Sequence, residues 1–332
     1  MKKNMWAGIM TLLISSQLPA QTVEELQRRL TEKEKENQQL RQRIMTLERE
    51  ITPSRIEQTR RGQVAIQQEE EESNRALERA LVREGGLLLS PGTREVEANF
   101  AYSYREGDSS QFRRHSFGPA LVFRAGLPWR SQIEASLPYV FERRRDGTVS
   151  TDSDGIGDFT IGLSHQLLNE RASAPALIGA IQYMASTGKN TIFESTRPVA
   201  HGTGFDSIQG SLAALKRFDP LVIFGNYSFT HTFSENKGGM KVDLGNSHGL
   251  RFGTALATGP DTSLRAALSM TFFEKTRFGG VPIPGTDDAL GILELGGSAV
   301  LNGSMALDIL LGIGLTSNAP DFRVTAALPI RF

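Results

Sequence analysis

The chain has 332 residues with 37 basic and 37 acidic side chains, so no charge excess favours nucleic acid as a partner. Cysteine is absent, which excludes disulfides and thiolate metal sites and suits an oxidising compartment such as the periplasm. Beyond the N-terminus, no apolar run approaches the roughly 20 residues that a spanning helix needs, which argues against a helical membrane protein.

The N-terminus has the pattern of a secretory signal. The opening MKKNMWAGIMTLLISSQLPAQ has two lysines, then a short apolar stretch, then Pro19-Ala20 before the composition becomes polar. A buried N-terminal helix is the alternative, but the apolar stretch is too short to span a membrane and its flanks match export. Residues 1–20 are therefore predicted to be a signal peptide.

Residues 21–52 carry a heptad pattern. Apolar side chains recur at a three-four spacing, and nearly all positions between them are Glu, Gln, Arg or Lys. Such a narrow seam needs copies of itself, which predicts a periplasmic coiled coil; a lone solvated helix is the alternative. Asn37 would fix the register, and the choice between dimer and trimer stays open. The predicted oligomerisation seam consists of Val23, Leu26, Leu30, Asn37, Leu40, Ile44, Leu47 and Ile51.

Residues 53–92 are predicted to be a linker that contains a short helix over residues 65–84. Helix formers are dense from Glu69 to Glu84, and two glycines follow. Two interpretations stay open: the helix plugs the mouth of a following barrel, or it is a periplasmic spacer. The candidate plug residues are Ala76, Leu77, Ala80 and Leu81.

Residues 93–332 read as a succession of about twelve strands. In SQIEASLPYVFER, for example, Ile133 and Leu137 fall on one face and Gln132 and Glu134 on the other. Short connectors such as GLPWR and TGPD alternate with long polar ones: RRDGTVSTDSDG, TGKNTIFESTRPVAHGTG, SENKGGMKVDLGNS and KTRFGGVPIPGTDD. This pattern predicts an all-β transmembrane barrel of about twelve antiparallel strands, with the short turns and both termini in the periplasm. A soluble barrel or sandwich is the alternative, with its apolar face inward.

The polar faces of these strands carry charges that would turn into the barrel. A hydrated interior of mixed charge favours passage of solutes, and salt bridges that fill the interior are the alternative. The candidate lumen-lining residues are Arg124, Glu134, Glu142, Arg144, Asp158, Arg265 and Asp308.

The chain ends on DFRVTAALPIRF, in which every second residue from Phe322 to Phe332 is apolar. This pattern predicts a lipid-facing closing strand, paired with SMALDILLGIGL on one side and REVEANFAYSY on the other. Phe332 is predicted to be a signal for the barrel-assembly machinery, so its deletion should impair insertion into the outer membrane.

The sequence offers little that favours catalysis. His231 and Ser234 are the nearest hydrolase candidate, but residues three apart in a strand face opposite sides. No HExxH or GxSxG motif occurs. The stretch DSDGIGD has oxygen ligands for calcium but lacks the spacing and the closing Glu of an EF-hand, which favours a solvated turn. A protein without enzymatic activity, metal or cofactor is therefore predicted.

The junction ALERALVREGGLLLSPGTREVEANFAYSY adds a resemblance, carried by Arg83, Gly85, Gly86, Leu87, Leu88, Leu89, Pro91, Gly92, Glu95 and Glu97. It resembles the functional-amyloid (Fap) secretion channel of the bacterial outer membrane, within the broader transporter family of the meta pathway of phenol degradation. The resemblance implies a homotrimer, a helical plug in each barrel and export of amyloid subunits. The broader family implies uptake of small aromatic or hydrophobic compounds. This chain departs from the pattern in its short linker, which leaves the cargo open.

Overall fold

The structure is a computed structural model that describes residues 25, 28–43, 45, 78, 81, 87–107, 112–191 and 200–332. The chain divides into two units, residues 1–67 and residues 68–332. The predicted signal peptide over residues 1–20 lies outside the described residues.

In the first unit, residues 28–43 form a helix. Three members of the predicted seam, Leu30, Asn37 and Leu40, lie in it with exposed side chains. Lys33 Nζ lies 2.5 Å from Glu36 Oε2 on the helix surface. Within the described part of the chain, no helix is both long and apolar enough to cross a bilayer. The other seam residues lie outside the described residues: Val23, Leu26, Ile44, Leu47 and Ile51.

In the second unit, the described residues contain seventeen strands. They are β1 (Arg94–Glu106), β2 (Phe112–Leu127), β3 (Ser131–Asp146), β4 (Val149–Ile156), β5 (Phe159–Leu168), β6 (Ala176–Ala185), β7 (Ser207–Phe218), β8 (Leu221–Thr232), β9 (Glu235–Lys237), β10 (Met240–Asp243), β11 (Ser247–Gly259), β12 (Thr262–Phe273), β13 (Arg277–Phe278), β14 (Val281–Pro282), β15 (Asp288–Val300), β16 (Ala306–Gly314) and β17 (Phe322–Arg331).

Over the described residues, these strands build a closed antiparallel barrel with twelve strand positions. β4 and β5 both pair with β3 and together occupy one position as an interrupted strand. The order is β1, β2, β3, β4/β5, β6, β7, β8, β11, β12, β15, β16 and β17. β17 closes the ring against β1, with Arg331 opposite Glu95 and Phe322 opposite Tyr104. The predicted barrel and the two predicted neighbours of the last strand are confirmed.

Successive side chains of each strand alternate between the inner and outer faces of the wall. In β17, Thr325 and Ala327 are buried on the inner face, whereas Phe322 on the outer face is 42% exposed. Large apolar side chains such as Leu121 and Phe252 are likewise exposed on the outer face. A soluble barrel buries its apolar face, so this inverted arrangement is the one that a bilayer requires.

The connections differ between the two ends of the barrel. Five connections, none longer than seven residues, lie at the same end as Arg94 and Arg331, called here the short-turn end: 128–130, 169–175, 219–220, 260–261 and 301–305. The opposite end, called the long-loop end, carries the connection 186–206 between β6 and β7 and those that contain β9, β10, β13 and β14, together with the shorter connections 147–148 and 315–321.

Three of the predicted long loops contain strands instead. The prediction for RRDGTVSTDSDG is wrong, because β3 continues to Asp146 and pairs with β4 from Val149 onward. Within the other two loops, β9, β10, β13 and β14 form a small sheet of their own. The extension of β3 over residues 142–146 is polar on both faces, and β9, β10, β13 and β14 are only two to four residues long, so the period-two alternation that marks a half-buried strand is missing.

Candidate functional site

A cluster of buried charges lies on the inner wall at the short-turn end. Strand pairing sets Arg124 of β2 opposite Glu95 of β1 and Glu134 of β3. Its guanidinium lies 3.0 Å from Glu95 Oε1, 2.8 Å from Glu97 Oε2 and 2.6 Å from Glu134 Oε2. Arg331 Nε adds a second guanidinium contact, 2.8 Å from Glu95 Oε2. We call these five residues the charged cluster; pairing is what makes buried charges tolerable.

A second polar group lies on the inner faces of β12, β15 and β16. Arg265 and Asp308 are both buried, with Arg265 Nη1 3.9 Å from Asp308 Oδ1. The Ser298 hydroxyl donates a hydrogen bond to Asp308. Gly296 stands opposite Arg265 in the register, and a Cβ there would lie 2.9 Å from Arg265 Nε. The glycine therefore leaves room for the guanidinium to cross β15 toward Asp308.

An apolar patch occupies another sector of the inner wall. It is formed by Ala176, Leu215, Val222, Phe224, Ala255 and Ala267, from β6, β7, β8, β11 and β12. Leu81, which precedes the first strand, packs into this patch and is only 1% exposed. The guanidinium of Arg251 lies over the Phe224 ring at 5.7 Å, so the apolar patch adjoins charged residues of the same wall.

The segment that leads into β1 contacts the inner wall at further points. The backbone N–H of Leu89 donates to Gln132 Oε1 at 2.9 Å, and Glu78 Oε1 lies 3.9 Å from Arg331 Nη1. A Cβ on Gly126 would lie 2.6 Å from the Leu89 carbonyl oxygen, so glycine is needed where the segment crosses β2. Of the candidate plug residues, the structure describes Leu81; Ala76, Leu77 and Ala80 lie outside the described residues.

At the long-loop end, the interruption between β4 and β5 turns Asp158 inward. Its buried carboxylate accepts hydrogen bonds from Gly188 N at 2.9 Å, Thr203 N at 2.5 Å and Thr203 Oγ1 at 2.9 Å. All three donor groups belong to residues of the connection 186–206. A single carboxylate therefore holds the two described ends of this loop, 186–191 and 200–206, against the inner wall.

The same loop has a second anchor at its C-terminal end. The Asp206 carboxylate accepts hydrogen bonds from the Tyr183 hydroxyl at 2.6 Å and from Ser186 N and Oγ at 2.8 Å each. The tyrosine hydroxyl first, and then the two serine donors, lower the pKa of Asp206 below its ordinary value because each favours the ionised form.

Two candidate lumen residues lie near the long-loop end. Glu142 Oε2 is 2.5 Å from Arg114 Nη2, and Arg144 Nη2 is 3.4 Å from Asp146 Oδ2. Arg144 is largely exposed and its guanidinium lies 5.2 Å from the Phe112 ring centroid. These residues are remote in register from the charged cluster, and their role in lining a pore stays a prediction.

Sequence reasoning did not identify several of these contacts. Glu95 and Glu97 were named only as part of the resemblance and not as lumen candidates. The alternation in REVEANFAYSYR nevertheless places both on the polar, inward face of the strand. No sequence pattern indicated that Gln132 would accept a hydrogen bond from the backbone of Leu89. His201 is buried, and a Cβ on Gly155 would collide with its ring. That contact joins a loop to a strand 46 positions earlier, which no local pattern reveals.

The outer wall carries paired histidines. Within the described residues, four histidines have Nδ1 within hydrogen-bond distance of a neighbour: His115 with Tyr102 at 2.9 Å, His165 with Ser131 at 2.9 Å, His231 with Asn246 at 2.8 Å and His248 with Tyr227 at 2.9 Å. The hydrolase candidate His231 thus pairs with Asn246 rather than with Ser234. Over the described residues, no group of three His, Cys, Asp or Glu side chains could hold a metal ion.

Phe332, the candidate assembly signal, ends the closing strand. Its backbone N–H donates to the Arg94 carbonyl oxygen at 2.9 Å, and its side chain is exposed. The structure thus places an accessible aromatic ring at the short-turn end, and its recognition during assembly stays a prediction.

No family model matches the chain. The structure is similar to the COG4313 outer membrane channel from Pseudomonas putida F1, with a TM-score of 0.65 and 16% identity over 74% of this chain and 98% of that one. The translocator domain of autotransporter NalP from Neisseria meningitidis gives 0.46 and 11%, covering 76% of this chain and 92% of that one. The beta domain of the Bordetella autotransporter Brka gives 0.44 and 15%, covering 73% and 100%. The first similarity shows the fold, that of an outer-membrane β-barrel; the other two are too distant to add to it.

Proposed function

We propose that this protein is an outer-membrane channel whose lumen is narrowed at the short-turn end by the segment that precedes β1. The observation that carries the proposal is Leu81, which is not part of the barrel wall and yet is buried in the apolar patch of the inner face. A closed barrel with a polar interior offers a path for solutes, and a segment held inside that path controls it.

The orientation follows from the ends of the barrel. In outer-membrane barrels the short turns face the periplasm and the long loops face outward. On this basis the short-turn end and the N-terminal helices lie in the periplasm, consistent with the predicted signal peptide. The segment that carries Leu81 then reaches the lumen from the periplasmic side.

Several contacts of the described residues hold the proposed gate. Leu81 packs in the apolar patch, Leu89 N–H bonds to Gln132, and Glu78 stands near Arg331. Withdrawal of the segment would expose the apolar patch to water, at a cost that scales with the apolar area uncovered. The closed arrangement is therefore favoured until cargo or a partner offsets that cost.

For the cargo, we propose export of amyloid subunits as the first candidate, on the resemblance of the junction sequence. Uptake of small aromatic or hydrophobic compounds is the second candidate. It is favoured by the apolar patch, because an apolar sector of a lumen offers such compounds a surface that they can occupy in place of Leu81.

We further propose that the protein is a homo-oligomer, a trimer by the same resemblance. Leu30 and Leu40 of the helix over residues 28–43 are exposed in the single chain, at the spacing of a coiled-coil seam. A second and third copy of this helix would cover them.

Conductance of the full chain in planar bilayers tests the channel and the gate together. We expect Leu81→Asp to raise conductance, because an ionised carboxylate is not tolerated in the apolar patch and the segment must leave it. Leu301→Asp is the matched control, since Leu301 is exposed in the turn 301–305. Deletion of residues 53–92 should have the larger effect. Unchanged conductance in both gate variants would reject the gate, and no conductance in any variant would reject the channel.

Two cargo assays separate the candidates. Proteoliposomes loaded with buffer and exposed to a small aromatic solute should take it up faster with Leu81→Asp than with wild type if uptake is the function. If export is the function, cells that express an amyloid subunit together with this protein should release the subunit, whereas cells that express the subunit alone should not. A negative result in one assay removes that cargo and leaves the channel standing.

A further inference from the structure

The outer face of the β2–β3 ladder ends in an unusual run of cations. Towards the long-loop end, three successive cross-strand pairs are Arg113 opposite Arg145, Arg114 opposite Arg144 and His115 opposite Arg143. Alternation sends Arg114 and Arg144 to the inner face and the other two pairs to the outer face. The outer face therefore shows three guanidinium groups and an imidazole on two adjacent strands.

Two of the three arginines on this face form ion pairs with carboxylates of the described residues. Arg143 is bonded by Nε and Nη2 to both oxygens of Asp152, at 2.8 and 3.0 Å, and Arg113 Nε lies 3.2 Å from Glu106 Oε1. Among the described residues, Arg145 has no carboxylate within ion-pair distance, and its Nε donates to the Gly147 carbonyl oxygen at 3.2 Å. Like charges directly opposite in a ladder are destabilising, so the rung of Arg113 and Arg145 would gain from an anion laid across it.

The height of this rung on the barrel identifies the kind of anion. Two residues along β2 toward the membrane, His115 lies beside Tyr102 and Tyr104, with ring centroids 6.3 and 4.9 Å away. Two residues further, Phe117 stacks on Phe141 of β3 on the lipid-facing surface, with ring centroids 6.0 Å apart. Aromatic rings of this kind mark the boundary between acyl chains and headgroups, so Arg113 and Arg145 stand at headgroup height.

A groove lies between the rings and the cations. It has a volume of about 470 Å³, and its outer-face lining includes Tyr102, His115, Phe117, Phe141, Arg143, Asp152 and Asp154. Its lower wall is aromatic, and its upper wall holds Arg143 ion-paired with Asp152. Such a mixed polar wall suits the hydroxyl groups of a sugar, while the rung of Arg113 and Arg145, beyond the groove, is left for a negatively charged group that points away from the membrane.

We propose that the outer-face rung of Arg113 and Arg145 binds the phosphate of a phosphorylated lipid A headgroup in the outer leaflet, with the groove taking the adjoining sugar. Guanidinium groups bind phosphate oxygens through paired, charge-assisted hydrogen bonds, which a planar fork on a rigid strand favours. The site presupposes the proposed location in the outer membrane.

The test uses the full-length protein, folded in a non-ionic detergent. Bisphosphorylated lipid A, the same lipid without phosphates and inorganic phosphate are titrated separately, and binding is followed by native mass spectrometry. We expect the bisphosphorylated lipid to bind wild type and to bind Arg113→Gln/Arg145→Gln at least about tenfold more weakly, since each charge-assisted bond is worth about one factor of ten. Arg94→Gln, an exposed arginine at the opposite end, is the matched control and should bind like wild type.

A heat-modifiable band on a denaturing gel checks that each variant is folded. A second variant, Arg113→Lys/Arg145→Lys, keeps the charge without the planar fork and should bind with intermediate affinity. Equal affinity of wild type and the glutamine variant for lipid A would overturn the site. Equal binding of inorganic phosphate and lipid A would show a free-anion site and overturn the lipid assignment.

Conductance distinguishes this inference from the proposed function. The two arginines face outward, so the glutamine variant should conduct like wild type. A protein that conducts but shows no lipid preference rejects the lipid site alone. A protein that never conducts rejects the channel and leaves the lipid titration to be judged separately.

Discussion

Two sectors of the inner wall bury their inward side chains in different ways. In the charged cluster of Arg124, Glu95, Glu97, Glu134 and Arg331, wall residues pair with one another at 2.6 to 3.0 Å. The apolar patch is instead completed by Leu81, which comes from outside the wall. The first sector should therefore stabilise the barrel, and the second should control what occupies the lumen.

The largest expected effect breaks the charged cluster. Arg124→Ala would leave three carboxylates close together on the inner wall without their shared guanidinium, and we expect a loss of about 3 kcal/mol in the free energy of unfolding. Urea unfolding of the barrel in lipid vesicles measures it, with Arg94→Ala as the exposed control. A loss below about 0.5 kcal/mol, the range of ordinary surface substitutions, would mean that the cluster is hydrated and does not stabilise the wall.

The next effect separates docking from barrel stability. Leu81→Ala removes a buried side chain from the apolar patch and should weaken docking of its segment by about 2 kcal/mol, or roughly 30-fold in the closed-to-open ratio. Open time in single-channel recordings measures this ratio, while urea unfolding of the barrel should change little.

Leu215 offers a direct test of the contact. Leu215→Ala combined with Leu81→Ala should cost less than the sum of the two single changes, because the two side chains belong to one cluster. Strict additivity would show that Leu81 acts elsewhere. Leu301→Ala, in an exposed turn, is the matched control for the loss of a leucine.

A smaller effect is expected at the long-loop end, where Asp158 anchors the connection 186–206 to the inner wall. Asp158→Asn replaces a carboxylate that accepts three hydrogen bonds, and we expect the connection 186–206 to loosen by about 1 to 2 kcal/mol. Limited proteolysis of this loop in the folded barrel measures the change. Asp261→Asn, in a short turn, should leave the cleavage rate as in wild type, and an equal rate in Asp158→Asn would contradict the anchor.

The smallest expected effect is a pH dependence of the stability of the connection 186–206. Hydrogen bonds from Tyr183 and Ser186 lower the pKa of Asp206, so its contribution to loop stability is present above the ordinary carboxyl pKa of about 3.9 and is lost as pH falls through the lowered value. Pepsin cleavage of the loop should therefore rise as pH falls from about 4 to 2. Asp206→Asn should be cleaved readily throughout this range. Parallel profiles for the two proteins would exclude Asp206 as the titrating group.

Sequence patterns predicted the barrel well where the two faces of a strand meet different surroundings. The terminal ribbon from Phe322 to Arg331 has an apolar face for lipid and a polar or small face for the interior, and its partners β1 and β16 are those expected. Beyond the aromatic rings both faces meet water. There the alternation ends, and the paired extension of β3 and β4 was wrongly predicted as a loop.

The sequence by itself determined the fold class and the closing strand, because period-two alternation is local and any slip in register would turn polar side chains toward lipid. Tertiary structure decided which charges share a partner, that Asp158 holds a loop and that Leu81 meets an apolar patch contributed by five strands. Such contacts join residues far apart in the chain, such as Arg331 and Glu95, which are 236 positions apart. They depend on barrel closure and on the path of the chain inside it, and no periodicity along the sequence encodes either.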